Sequence, residues 1–282
     1  MWRRIAAGAL VAAFLSMPAS AQDAALVERG RYIVEVIGHC GNCHASRGPD
    51  GRPLPGRGLA GGRVLVEGTM RAVIPNITPD RETGIGAWTD ADIERAMRQG
   101  VRPDGTLIGP PMPIALYRGI SDPDMAAIIA YLRSVPPVSN AIAERSSYPF
   151  PLQALPPPGA VPPPADDPVS RGAYLVGPLG HCLDCHSSHT ADGRIDPAKP
   201  GGQGRSFTGP WGVVVARNLT PHPELGLGRW DEAMFARALR EEIGGDGRPL
   251  MPPMGRGRAW AALTDRDIAD IWAYLRSLPP LE

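Results

Sequence analysis

The chain has 282 residues, enough for two domains of ordinary size, and its 29 basic and 29 acidic side chains leave a formal net charge of zero. A balanced charge of this kind does not favour nucleic acid as a partner, so we expect none. Only 6% of the residues are aromatic, whereas 34 are glycine and 33 are proline, and side chains of this composition build a thin core.

Residues 1–21 are predicted to be a signal peptide. Two arginines precede an apolar run at residues 5–15, and small residues at 19–21 form a cleavage site. The alternative, a retained membrane anchor, is disfavoured because this run is shorter than the span of about 20 residues that a bilayer requires. We therefore expect export to the periplasm. No later segment is apolar enough to cross a bilayer, so membrane contact is expected only through a partner.

A first helix is predicted over residues 23–37, and it leads into the pattern C-x-x-C-H at Cys40, Cys43 and His44. Two thiols three positions apart on one turn can form thioethers with the two vinyl groups of a haem, and the histidine that follows can supply an axial nitrogen. Haem is also a large apolar plate that would complete the thin core. The pattern therefore predicts a covalently bound haem c.

A glycine- and proline-rich stretch comes next, with a short hairpin predicted at residues 64–74. The following helix is predicted over residues 90–99, because Thr89 is a good N-cap and Gly100 is a typical stop. Two side chains that flank this helix, Trp88 before it and Met112 after it, are candidates for contact with the haem.

Met112 is the candidate for the sixth iron ligand. It follows two prolines and lies 68 residues beyond His44. A stiff loop of this kind can present a sulfur rigidly and is a poor place for ordinary core, although a packing role is the alternative. Trp88 is predicted either to donate its indole N–H to a haem propionate or to be a core aromatic, and both roles are compatible.

The last helix of the first half is predicted to start at Ser121, with Asp124 three positions on, which approximates a capping box. Ile128, Ile129 and Leu132 share one face and predict its buried side. Two prolines end the helix.

Residues 140–168 are predicted to be a semi-rigid, extended linker, because prolines are frequent from position 149 onwards and no periodic apolar pattern is present.

The second half repeats the sequence of the first. Equivalent residues are 142 positions apart, as for Cys40 and Cys182, and 143 positions apart after Met254. Its predicted elements follow the same plan: helices over 170–179 and 231–242, a hairpin at 211–216 and a last helix from Thr264. The repeated candidate residues are Cys182, Cys185, His186, Trp230 and Met254. Duplication of one haem module explains this repeat better than convergence.

Other interpretations of the two patterns are weaker. The two patterns use all 4 cysteines, and each has its own adjoining histidine, which disfavours one shared zinc site, a thioredoxin-like dithiol or ordinary disulfides. The second sixth ligand is less certain than the first, because Met251 is close to Met254. If neither methionine ligates, His189 and His222 are the alternatives. His39 and His181, which precede the first cysteines, are expected to make local hydrogen bonds.

The series C-x-x-C-H, N-I-T-P-D, G-I-G-x-W, P-P-M-P and A-Y-L-R-S-x-P-P resembles class I cytochrome c domains in multihaem subunits of bacterial periplasmic dehydrogenases. Similar subunits accompany alcohol, gluconate and sorbitol dehydrogenases and molybdenum hydroxylases of the aldehyde-oxidising type. The resemblance covers nearly all of the mature chain. It implies an all-α, mainly helical fold with two tandem class I cytochrome c domains, at residues 22–139 and 169–282. It also implies ligation of one iron by His44 and Met112 and of the other by His186 and Met254.

The resemblance implies a dihaem protein that passes single electrons from a periplasmic dehydrogenase to a downstream cytochrome or terminal oxidase, with no catalytic residue of its own. The relatives with three haems also carry a membrane-binding segment, so membrane attachment and quinone chemistry are not expected for a chain with two. The alternative is a dihaem enzyme, such as a peroxidase or a thiosulfate-oxidising cytochrome. A peroxidase would need an open or displaceable ligand position on one iron. A haem-based sensor or a passive haem carrier ranks third.

Overall fold

The computed structural model describes residues 19–49, 51–190, 194–209, 211–255 and 257–282. Residues 1–18 of the predicted signal peptide lie outside the described residues, so the signal peptide stays a prediction. Within the described ranges, no helix combines the length and the apolar character needed to cross a bilayer.

The two halves of the chain have similar element orders. The first half contains α1 (Ala19–Arg31) with a π-helical continuation (Tyr32–Ile37), α2 (Gly41–His44), β1 (Val64–Glu67), β2 (Met70–Val73), α3 (Asp90–Gln99), α4 (Ile114–Tyr117) and α5 (Asp122–Ser134). The second half contains α6 (Pro168–Tyr174) with a π-helical continuation (Leu175–Leu179), α7 (Cys182–His186), β3 (Ser206–Gly209), β4 (Gly212–Val215), α8 (Glu232–Glu241) and α9 (Asp265–Ser277). Each pair of strands forms an antiparallel hairpin.

The expectation of an all-α fold is wrong. Among the described residues, helices hold only 34%, and strands together with isolated β-bridges hold 10%. The composition explains the difference, because proline lacks the N–H that a helix interior uses and glycine costs about 1 kcal/mol there. Both residue types fill the long connections between the helices. The valine-rich runs at 64–66 and 213–215 favour strands instead.

The predicted start and end of α3 are confirmed. The Thr89 hydroxyl accepts a hydrogen bond from the backbone N–H of Asp92 at 3.1 Å, and the Asp92 carboxylate accepts from the N–H of Thr89 at 3.0 Å. This reciprocal capping box satisfies two N–H groups that the first turn leaves without helical partners. The helix ends at Gly100, whose φ of 72° is a left-handed conformation that glycine adopts without strain.

The last helices, α5 and α9, are capped at the predicted residues, Ser121 and Thr264. In α5 the predicted face is confirmed, since Ile128, Ile129 and Leu132 are all buried. These residues belong to one hydrophobic cluster that runs through both halves of the chain.

Each half is built on a close crossing between its first and last helices, α1 with α5 and α6 with α9. A Cβ atom on Gly30 would lie 1.9 Å from the carbonyl oxygen of Ala127, and one on Gly172 would lie 2.0 Å from that of Asp270. Only glycine allows two backbones to approach so closely. The repeated Arg-Gly pair in the sequence therefore marks the helix crossing.

The arginines next to these glycines join the same helices by ion pairs. Arg29 contacts Asp124 at 2.8 Å, and Arg171 contacts Asp270 at 2.6 Å. Both are bidentate pairs, a geometry that fixes the orientation of the guanidinium as well as its position.

The proline-rich segment at residues 149–165 contains no helix or strand and lies against the first half. The N–H of Leu155 donates to the carbonyl of Gln99 at 3.0 Å, and the N–H of Asp122 donates to the carbonyl of Val161 at 2.8 Å. These bonds tie the segment to the end of α3 and the start of α5.

Candidate haem-attachment sites

Each C-x-x-C-H pattern occupies a single helical turn. In the first pattern the N–H groups of Cys43 and His44 both donate to the carbonyl of Cys40, at 3.2 and 2.9 Å. The turn brings the two cysteines and the histidine together on a short piece of backbone. The second pattern forms the whole of α7. All four cysteines are among the described residues, are half-buried and form no disulfide with one another.

The two histidines are held in the same way. The Nδ1 atom of His44 lies 3.0 Å from the carbonyl oxygen of Pro75, and that of His186 lies 2.7 Å from the carbonyl oxygen of Arg217. A carbonyl oxygen can only accept, so Nδ1 carries the proton in each ring. In this tautomer the free lone pair is on Nε2, which is the atom that an iron ligand of this kind needs.

Burial favours the neutral form of both rings. Each imidazole is only 8% exposed. Loss of hydration lowers the pKa of His44 and of His186 below the ordinary value, and the carbonyl contact opposes this only in part. A neutral ring is the form that binds iron.

A pair of repeated asparagines, to which the sequence pattern gave no role, holds the loops that carry these carbonyls. Asn76 directly follows Pro75, and its amide oxygen accepts from the N–H and the hydroxyl of Thr78 at 2.9 and 2.8 Å. Its amide nitrogen donates to the carbonyl of Val138 at 2.8 Å. The asparagine thus links the loop that orients His44 to the segment beyond α5.

The second half repeats this arrangement. Asn218 directly follows Arg217, accepts from both Thr220 donors and donates to the carbonyl of Leu281 at 2.6 Å. The signal for this role was present in the sequence as the repeated N-x-T-P, but its partners lie about 60 residues away and no local pattern identifies them.

The methionines expected as sixth ligands occupy equivalent loops. Met112 is partly buried and packs against the hydrophobic cluster. Met254 is half-buried, whereas Met251 is 47% exposed. A cis peptide bond joins the two prolines before Met112, and another joins the two before Met254. Both assignments remain predictions.

The two tryptophans also occupy equivalent places. Trp88 and Trp230 are partly buried and pack against the hydrophobic cluster. The backbone N–H of Trp88 donates to the carbonyl oxygen of Ile85 at 3.1 Å, and that of Trp230 donates to the carbonyl oxygen of Leu227 at 3.0 Å. The packing of both side chains against the cluster supports the core role. The propionate role of the indole N–H remains a prediction.

One of the alternative histidine ligands has a local structural role. The Nδ1 atom of His222 accepts from the N–H groups of Glu224 and Leu225 at 3.2 and 3.0 Å, so it caps a local turn. The Nε2 atom of His189 lies 4.0 Å from a carboxylate oxygen of Asp184, which is beyond hydrogen-bond distance.

The donor set therefore fits haem c. Each half offers two thiols on one turn and a neutral imidazole with Nε2 available, which are the groups that attach and ligate this cofactor. Each half also places a methionine in a proline-stiffened loop.

Comparison with known proteins defines the class. A cytochrome c family model matches residues 27–136 and 169–279, once in each half. The diheme cytochrome c-type protein of Cereibacter sphaeroides is 30% identical over 256 residues, which cover 87% of this chain and 83% of that protein. The chain belongs to the cytochrome c family. It is a dihaem electron-transfer cytochrome with two covalently bound haem c groups.

Other relatives are subunits of dehydrogenases. The cytochrome c subunit of the quinone-dependent alcohol dehydrogenase of Gluconacetobacter polyoxogenes is 32% identical over 277 residues, 92% of this chain and 57% of that subunit. The gluconate 2-dehydrogenase cytochrome c subunit of Pantoea cypripedii is 33% identical over 304 residues, 96% of this chain and 64% of that subunit. The chain thus spans less than two thirds of the length of these relatives.

Proposed function

We propose that this chain carries single electrons from a periplasmic dehydrogenase to a downstream cytochrome or terminal oxidase. The relatives named for alcohol and gluconate dehydrogenases support a donor of that class. The observation that carries the proposal is the double occurrence of a buried, neutral imidazole whose Nδ1 is held by a backbone carbonyl. Two equally built sites suit a relay of electrons better than one site modified for substrate.

The proposed cofactor residues are the same in type in both halves. Cys40 and Cys43 would attach the first haem, and His44 and Met112 would ligate its iron. The second set is Cys182, Cys185, His186 and Met254. Haem would supply the one-electron chemistry, and a methionine ligand in addition to histidine would raise its reduction potential. The chain's own residues hold the axial imidazole in a fixed orientation and exclude water from it.

The proposed organisation is a signal peptide at 1–21, a first domain at 22–139, a linker at 140–168 and a second domain at 169–282. The mature protein acts in the periplasm. Covalent attachment of haem outside the cytoplasm and an apolar run at residues 5–15 support this location. Membrane contact is proposed only through a partner.

Replacement of the two candidate methionines tests the second ligand set. Met254→Leu should remove the methionine–iron absorption band of one haem and lower its reduction potential, because a hydrocarbon side chain cannot ligate iron. Met251→Leu is the matched control and should leave both properties unchanged, since Met251 is the more exposed residue. Loss of the band in Met251→Leu alone would reverse the assignment.

Reduction by a dehydrogenase tests the donor. The candidate donor is the dehydrogenase that co-purifies with the native protein or is encoded beside it. This dehydrogenase is reduced with its own substrate and then mixed with the oxidised protein. The proposal expects reduction of both haems without a mediator. If that dehydrogenase reduces neither haem while a small-molecule reductant reduces both, the proposed donor class is wrong.

A further inference from the structure

The two halves contact each other through equivalent residues. The hydroxyl of Tyr32 in the first half donates to Asp267 at 2.5 Å and accepts from the N–H of Thr264 at 3.1 Å, both at the start of α9. The hydroxyl of Tyr174 in the second half donates to Asp124 at 2.8 Å, at the start of α5. Each tyrosine thus covers the N-terminus of the other half's last helix.

A second equivalent pair lies beside the haem-attachment patterns. The ring of Tyr117 is 6.0 Å from that of His181, and the ring of Trp260 is 6.4 Å from that of His39. Each contact joins an aromatic residue of one half to the histidine directly before the first cysteine of the other. The interface is therefore arranged around the two attachment patterns.

The backbones at this interface are also close. A Cβ atom on Gly119 would lie 2.9 Å from a ring carbon of Pro178, and one on Gly38 would lie 3.2 Å from the carbonyl oxygen of Leu179. The segments that lead into the two patterns are thus packed against the opposite half, with little room for displacement.

The two histidines differ in one respect. The Nε2 atom of His181 lies 3.3 Å from the carbonyl oxygen of Gly38, across the interface, whereas the Nδ1 atom of His39 lies 3.0 Å from the carbonyl oxygen of Glu35 in its own half. Their backbones are alike, with φ of 43° and 46°. His181 is followed directly by Cys182, and Gly38 lies two residues before Cys40. This hydrogen bond therefore connects the two attachment segments.

We propose that His181 is a positioning residue that fixes the two attachment patterns against each other, so that the two haems form a coupled pair. The inference rests on the proposed role as an electron carrier, because a fixed relation between two carriers matters only if electrons pass between them. The hydrogen bond to Gly38 supplies the fixed contact, and the ring contact with Tyr117 orients the imidazole that makes it.

The test is the magnetic interaction between the two ferric haems, measured by electron paramagnetic resonance on the fully oxidised holoprotein. The variant is His181→Asn, since asparagine tolerates a positive φ but its shorter side chain does not reach the Gly38 carbonyl. Loss of this bond should make the docked arrangement of the halves about tenfold less favourable. We expect an interaction signal in the wild type that is weakened or lost in the variant.

His39→Asn is the matched control, with the same substitution at the same backbone conformation and the equivalent position. It removes the hydrogen bond to Glu35 within one half and the ring contact with Trp260 across the interface, but it keeps the bond between His181 and Gly38. If that bond is the fixed contact, the magnetic interaction should stay near the wild-type value. An equal signal in wild type and His181→Asn would overturn the proposal, as would no signal in the wild type. A lower Tm in His181→Asn with an unchanged signal would mean that the role is structural alone. The measurement requires no dehydrogenase, so its failure is distinct from a failure of the proposed function.

Discussion

Replacing Asn76 by alanine tests how the axial histidine of the first half is held in place. The asparagine is 3% exposed, and its side chain makes four hydrogen bonds, which no alanine can replace. The substitution leaves the N–H of Thr78 without its acceptor in a residue that is 1% exposed. It also loosens the loop in which Pro75 accepts the hydrogen bond from His44.

The expected cost follows from these contacts. A net contribution of about 1 kcal/mol for each hydrogen bond, with part of the loss recovered by relaxation, gives a decrease of about 3 kcal/mol in the free energy of unfolding. For a chain of this size the corresponding decrease in Tm is roughly 6–12 °C. A looser imidazole should also weaken the axial bond to iron and shift the reduction potential of that haem alone.

The assay is thermal and denaturant unfolding of the holoprotein, followed by a redox titration of each haem. Asn42→Ala is the matched control, because this asparagine is half-buried and its backbone carbonyl, which accepts from Arg63 at 2.8 Å, is retained. The control should change stability by less than about 0.5 kcal/mol. Equal losses in the two variants would refute the role assigned to Asn76.

Two further predictions concern the helices. Gly30→Ala should destabilise the protein by about 3 kcal/mol or more, because the new methyl group would overlap the carbonyl of Ala127, whereas Gly177→Ala, a helical glycine with open space beside it, should be nearly neutral in the same unfolding assay. The pKa of Asp92 lies below its ordinary value of 3.8 because the hydroxyl and N–H of Thr89 donate to its carboxylate. The resulting stabilisation is complete above pH 3.8 and is lost as the pH falls through the folded-state pKa, so the Tm difference between wild type and Asp92→Asn should shrink on acidification. A difference that is constant with pH would show that the ionised carboxylate does not cap α3.

Local signals in the sequence predicted local structure well. Thr89 and Gly100 were identified as the limits of α3 because an N-cap hydroxyl and a left-handed glycine act on the backbone within a few residues. The start of α5 at Ser121 was predicted for the same reason. The haem patterns were equally local, since both thiols and the histidine lie within one turn.

Contacts between distant residues could not be predicted in this way. No local pattern identifies the partners of Tyr32 and Tyr174, whose hydroxyl groups donate to residues of the opposite half. His181 was expected to make a local hydrogen bond and instead reaches Gly38. The sequence repeat showed that these positions recur, but the partners depend on how two copies of a module pack together. Fold class was misjudged because the resemblance emphasised the helices over the glycine- and proline-rich connections.

We propose that the two halves of this chain hold equally built histidine–methionine haem sites for electron transfer. The most direct measurement is a spectroelectrochemical titration of the purified holoprotein that follows the methionine–iron absorption band. We expect two one-electron reductions per chain, with the band present for both haems in the oxidised state. A protein in which one oxidised haem lacks the band and binds carbon monoxide readily when reduced would show that the two sites are not equally built.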